Sequence, residues 1–255
     1  MDSLTQAVLG ATVQGIGMGR QQGRKALVYG ALLGTLPDLD VFIRYADPVS
    51  SMTYHRGFSH SVFVLAALAA FIAWAVKKRY PDAPYSARRL FFTSAASLIT
   101  HPLLDAFTVY GTQLLWPFTP TPQQWSGVFI IDPLYTVPML LALAHAAWHG
   151  ISRNAWRGLS ATFLWGCFYL AFGVFGSHYH AERVRATLVA EGVPVTRVMA
   201  TPLPLNNLVY RVLAETDRGD YIEAVSGYFD RMPPEHIRLP QGKALTAPLA
   251  GDPLY

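Results

Sequence analysis

The chain has 255 residues, 52% of them hydrophobic and only 14% charged, with a mean hydropathy of +0.25; this composition excludes an ordinary soluble domain and points to an integral membrane protein. The formal net charge of +4 does not point to nucleic acid, because the basic residues fall in short clusters between apolar segments, where they set topology instead. Cys167 is the one cysteine, which excludes an intramolecular disulfide, and "MDSLTQAVLGATVQGIGMG" lacks the basic start and cleavage site of a signal peptide, so this segment is expected to be retained.

In chain order, apolar runs cover 4–19, 26–43, 60–76, 90–109, 133–149 and 156–177. A helix that crosses ~30 Å of hydrocarbon needs roughly 20 residues, which the last four meet or approach. The first run is short and glycine-rich, and the second is broken by Pro37 and two aspartates, so either could re-enter instead of spanning. The expected fold is an all-α integral membrane helix bundle of about six membrane segments with a small C-terminal extramembrane β element. Residues 1–177 form the expected membrane-embedded metal-site domain. Residues 178–255 form an extracytoplasmic tail, in which "NNLVYRVLAET" and "DYIEAVSGYFD" flank "DRGD" as a β-hairpin and "LPQGKALTAPLAGDPLY" is a surface tail.

Lys and Arg concentrate in alternate connections: Arg20, Arg24 and Lys25; Lys77, Lys78, Arg79, Arg88 and Arg89; Arg153 and Arg157. By the positive-inside rule these lie in the cytoplasm, which puts both termini outside it. The same topology brings three ionisable motifs to the outer face: "PDLD" with Asp38 and Asp40, "HRGFSH" with His55 and His60, and "HPLLD" with His101 and Asp105.

Residues four apart on a helix share a face, so His101 and Asp105 can converge on one ion, and Pro102 between them can leave a carbonyl unbonded. Each motif has a plainer reading when it stands alone. Aspartates after a proline often cap a helix, His55 and His60 could sit at the interface, and His101 with Asp105 could be a simple hydrogen-bonded pair. Together, three histidines and three carboxylates suit one or two divalent ions: zinc, manganese or iron.

"MDSLTQAVLGA", "GTLPDLD", "HRGFSHS" and "HPLLDAFTVYGTQLLWPF" resemble the bacterial inner-membrane family of metal-dependent hydrolases that includes the LexA-binding, YdjM-like proteins. The resemblance covers most of residues 1–132, and "ATPLPLNNLVYRV" is similar to a tail found in a subset of the family. It implies a helical protein of the inner (cytoplasmic) membrane, a metal site at Asp38, Asp40, His55, His60, His101 and Asp105, and a hydrolase related at motif level to zinc-dependent phospholipase C-like enzymes. Zinc is therefore the expected ion. Many relatives carry histidine near the first helix start, where this chain has Gln6, which puts a further N-terminal ligand in doubt.

The expected chemistry is metal-assisted hydrolysis of a phosphoester in a lipid or lipid-like substrate at the outer face. Asp40 and Asp105 supply carboxylates, one as proton acceptor, and Arg56 clamps the phosphate or sits among headgroups. Asp132 is either an extra ligand or a helix-start acid; Thr5, Gln6, Thr108 and Tyr110 face the same level; His178 and His180 mark the exit of the last helix; His145 and His149 are structural. Membrane lipids are the expected partners. No "HExxH" supports a protease. The alternatives are a metal transporter, which needs donors at several depths, and a non-catalytic, metal-stabilised interaction protein.

Overall fold

The computed structural model describes residues 1–43, 56–119 and 121–239. The six helices among these residues are α1 (Ser3–Gln22), α2 (Lys25–Thr35), α3 (Val62–Arg79), α4 (Ala87–Ala106), α5 (Pro133–His149) and α6 (Arg153–Ala190). Two 3-10 turns, Leu36–Phe42 and Phe58–His60, lie between α2 and α3. Each long helix except α2 starts on a side-chain cap: Asp2 for α1, Ser61 for α3, Ser86 for α4, Asp132 for α5 and Ser152 for α6.

Helices α1 and α2 pack at backbone distance. A Cβ on Gly10 would stand 2.3 Å from the Gly30 carbonyl oxygen, and one on Gly34 would stand 2.5 Å from that of Gln6, so only glycine permits this approach. Pro37 then turns the chain out of α2 into the 3-10 turn that carries Asp38 and Asp40. Helix α4 lies against α1, α2 and α3, and a core of Val8, Leu9, Leu104, Met139 and Leu159 joins α1 and α4 to α5 and α6.

The six-span bundle expected from the apolar runs is not what forms. Among the described residues only α6 is long and apolar enough to cross a membrane, by length and composition. Run 26–43 divides into an 11-residue helix and a 3-10 turn. Helix α3 ends in Lys77, Lys78 and Arg79, and α5 stops at 17 residues. Helices α1 and α4 bury Gln6, Gln14, Ser94, Ser97, His101 and Asp105 against each other and their neighbours. Counting apolar residues did not register the small and polar side chains that pack inside the bundle.

The C-terminal element is also larger than a hairpin. Strands β1 (Val195–Pro202), β2 (Val209–Thr216), β3 (Tyr221–Gly227) and β4 (His236–Leu239) form an antiparallel sheet in sequential order. The two segments read as strands from sequence pair as β2 and β3, with Val212 opposite Ala224. Helix α6 does not exit at His178 and His180 but continues to Ala190, about 57 Å in all. Its last three turns pack Val184 and Leu188 against Tyr210, Val212 and Ile222 of the sheet. His180 belongs to that packing, with Nδ1 2.8 Å from Ser226 Oγ, while His178 is exposed, so the pair does not form a site.

Candidate metal centre

Four side chains from three segments meet at one end of the bundle. Asp38 comes from the first 3-10 turn, His60 from the second, and His101 and Asp105 from the last two turns of α4. One donor atom from each lies within 4.8 Å of the others, and His60, His101 and Asp105 are fully buried. His101 Nε2 is 3.2 Å from Asp38 Oδ1, 3.2 Å from His60 Nε2 and 3.7 Å from Asp105 Oδ2; His60 Nε2 is 3.8 Å from Asp38 Oδ1 and 3.5 Å from Asp105 Oδ2. A tetrahedral ion with bonds of ~2.1 Å spaces its donors roughly 3.4 Å apart, so these five separations match the edges of such a tetrahedron.

The outer hydrogen bonds fix which nitrogen faces the centre. His101 Nδ1 meets the Gly34 carbonyl, which can only accept, so that nitrogen carries the proton and Nε2 presents its lone pair. Ser59 Oγ donates to Asp40 Oδ2 at 2.6 Å and accepts from His60 Nδ1 at 2.8 Å, which turns the His60 Nε2 lone pair inward too. Two lone pairs 3.2 Å apart beside two carboxylates repel unless a cation or proton lies among them. Asp105 Oδ2 is buried and accepts no hydrogen bond among the described residues. The donor set therefore fits a divalent ion.

Charge is organised around Asp105. Its Oδ1 accepts from the Met1 amine and from Gln6 Nε2 at 3.0 Å, and its Oδ2 is 3.4 Å from Arg56 Nε. Burial opposes its ionisation, but His60, the Met1 amine, Arg56 and His101 outweigh that and hold the carboxyl well below the usual range. Burial likewise works against Asp38, and the His101 hydrogen bond and charge carry it below its ordinary value. For His60 burial is the largest influence and keeps the ring neutral to lower pH, as a ligand requires.

Asp40 stands behind His60, its Oδ2 3.7 Å from His60 Nδ1 and accepting from the Arg56 amide at 3.2 Å. Arg56 adopts a left-handed φ of 63°, held by that bond and by donation from Gln113 N to its carbonyl. The guanidinium lies 4.8 Å over Tyr110, with Nε and Nη1 buried and making no hydrogen bond among the described residues. His55 lies outside the described residues.

The remaining candidates divide. Gln6 reaches both Asp105 and the His101 carbonyl, Thr108 bonds the Asp105 carbonyl, and Tyr110 backs Arg56. Thr5 instead bonds Asp2 and Thr136. Asp132 caps α5 through Leu134 N and Tyr135 N and accepts from the Tyr169 hydroxyl, away from the centre. Sequence reasoning missed the part played by Ser59, whose signal was its place directly before His60, and by Gly34, which nothing in the pattern marked.

Beside the centre, a groove of about 260 Å³ runs from Asp40 and Ser59 along Leu36, Phe58, Leu65 and Leu68. Its rim exposes Leu39, Ile43 and Phe58.

The profile of the YdjM inner membrane protein family matches residues 1–180, which include the whole centre. The chain is similar to the uncharacterized protein YfhP of Bacillus subtilis (strain 168), 26% identical over 157 residues, or 56% of this chain. That match spans about half, 46%, of the length of YfhP. No solved structure matches the chain.

Proposed function

The chain belongs to the YdjM inner membrane protein family, and from that premise we propose that it is a metal-dependent hydrolase acting on a phosphoester of a lipid or lipid-like substrate. The observation that carries this reading is the convergence of Asp38, His60, His101 and Asp105 with the Arg56 guanidinium beside them, its Nε and Nη1 making no hydrogen bond among the described residues. A divalent ion held there, zinc by the donor set and manganese or iron as alternatives, would lower the pKa of a bound water and polarise a phosphoryl oxygen.

The protein's own groups supply the rest. Arg56, stacked on Tyr110 and held off full pairing with Asp105, offers Nε and Nη1 to a phosphate oxygen in charge-assisted hydrogen bonds. Asp40 stands outside the four-ligand set and is the carboxylate assigned to accept a proton, while with Ser59 it keeps His60 in the right tautomer. Asp105 offers one oxygen inward and gives the other to Gln6 and the Met1 amine. The apolar groove past Leu36, Leu65 and Leu68 suits the hydrocarbon part of an amphiphile whose headgroup reaches the centre. Membrane lipids are then both surroundings and the substrate class, with the centre on the outer side of the inner membrane.

A second reading has its own support: four protein ligands complete a tetrahedron, as in structural sites, so the ion could staple the bundle of a non-catalytic interaction protein. Transport is the weaker reading, since the donor group found among the described residues lies at one end of the bundle. The deciding experiment loads the full-length, detergent-solubilised protein with zinc or manganese and assays a phospholipid and a polyprenyl phosphoester. Turnover that needs the metal and falls by roughly 100-fold or more in Arg56→Ala supports the hydrolase. Stoichiometric metal without turnover on either substrate supports the structural reading.

A further inference from the structure

At the end of the bundle away from the metal centre, the three basic connections come together. Arg89 donates to the Gly17 carbonyl, Trp156 Nε1 donates to that of Ile16, Arg20 lies 5.6 Å over the Trp156 ring, and Arg24 donates to the Trp148 carbonyl. These contacts gather the cations of the α1–α2, α3–α4 and α5–α6 connections on one surface.

Within this surface, a groove of about 520 Å³ opens between the end of α3 and the start of α4. Its floor is Ala70, Ala73 and Phe91, and its rim is Trp74, Lys78 and Arg88. Lys77 is committed to the Pro81 and Ala83 carbonyls. Lys78 lies 4.9 Å over Trp74, and Arg88 lies 5.8 Å over Phe92. Neither cation has a carboxylate at ion-pair distance among the described residues, and the one acid of the 80–86 connection, Asp82, is exposed. Phe71, Trp74 and Phe92 around the groove are all more than half exposed.

We infer that this groove seats an anionic phospholipid, its phosphate between Lys78 and Arg88 and an acyl chain along Ala70, Ala73 and Phe91. Cations without a carboxylate partner among the described residues, above an apolar floor, match the two halves of that molecule, and aromatic side chains bearing cations are the pattern of a headgroup-level surface. A nucleic acid offers the same phosphate charge but no hydrocarbon for the floor. The site is independent of the metal chemistry at the other end.

The test uses delipidated, full-length protein in detergent, titrated with phosphatidylglycerol or phosphatidylcholine and read by native mass spectrometry. Quenching of tryptophan fluorescence by acyl-brominated phosphatidylglycerol is the second readout. The expected result is one phosphatidylglycerol held at least about tenfold more tightly than phosphatidylcholine, with that preference lost in Lys78→Ala/Arg88→Ala and kept in Lys78→Arg/Arg88→Lys. Trp74→Leu should remove most of the quenching. If the double alanine variant does not fold by circular dichroism, Arg88→Gln alone is to lose at least half of the preference. Equal retention of the two lipids, full preference in the charge-removed variants, or displacement by glycerol phosphate or a short DNA duplex would each overturn the inference.

Discussion

His60 Nε2 and His101 Nε2 stand 3.2 Å apart, yet the opposite nitrogen of each ring is held by a different part of the chain: Ser59 and Asp40 for His60, the Gly34 carbonyl for His101. The centre is therefore built from outside inward. Its outer partners fix two lone pairs that have no reason to face each other without a positive charge between them.

Ser59→Ala removes the link between Asp40 and His60 while leaving all four donors in place. The expected outcome is metal affinity weaker by about 10- to 100-fold at unchanged helix content, measured by competition with a chelator. Ser59→Thr keeps the hydroxyl and should recover most of the affinity.

Gly30→Ala would place a methyl 2.3 Å from the Gly10 carbonyl oxygen and force α1 from α2. A loss of about 1–3 kcal/mol is expected from thermal unfolding. Metal affinity should fall too, since Gly34 on the same helix holds His101. Gly158 in α6 has nothing within 4 Å of a built Cβ, so Gly158→Ala is the control and should be neutral or stabilising by up to about 1 kcal/mol.

Asp132 separates a cap from a ligand. Asp132→Ala should cost about 1 kcal/mol of stability through the loss of bonds to Leu134 N and Tyr135 N, while metal content stays at the parent level.

Two groups tie the stability of the metal-free protein to pH in the same direction. Burial depresses His60 below its ordinary 6.5, so the unfolded chain takes up this proton first and stability falls as pH drops below about 6.5. Asp105 is held below its ordinary 3.8 by His60, the Met1 amine and Arg56, so its contribution is present above 3.8 and lost as pH falls further. Unfolding temperatures measured from pH 8 to pH 2 should hold down to about pH 6.5 and decline below it, with the decline between pH 6.5 and pH 4 less steep in His60→Gln.

The four side chains that converge were legible because their chemistry is local. His101 and Asp105 lie one helical turn apart, and "PDLD" and "FSH" are short polar words in apolar surroundings. The arrangement of the helices was not legible in the same way. Apolar run length does not reveal that Gly10, Gly30 and Gly34 bring α1 and α2 together, or that Gln14 and Ser97 bond each other inside the bundle. The continuation of α6 was present as a spacing of four through His180, Val184 and Leu188, all buried, but the polar residues between them masked it. Of the sheet, β2 and β3 alternate clearly, whereas β1 ends in Pro202 and β4 has four residues, too short to read.

The most direct test of the account is metal content per chain in purified full-length protein after reconstitution with zinc or manganese. The account predicts one tightly held ion per chain, lost in His101→Ala and in Asp105→Asn variants that remain folded, and kept in Asp132→Ala. A parent protein that stays metal-free, or folded His101→Ala and Asp105→Asn variants that bind as the parent does, would contradict it and leave the four residues as a buried proton-sharing cluster.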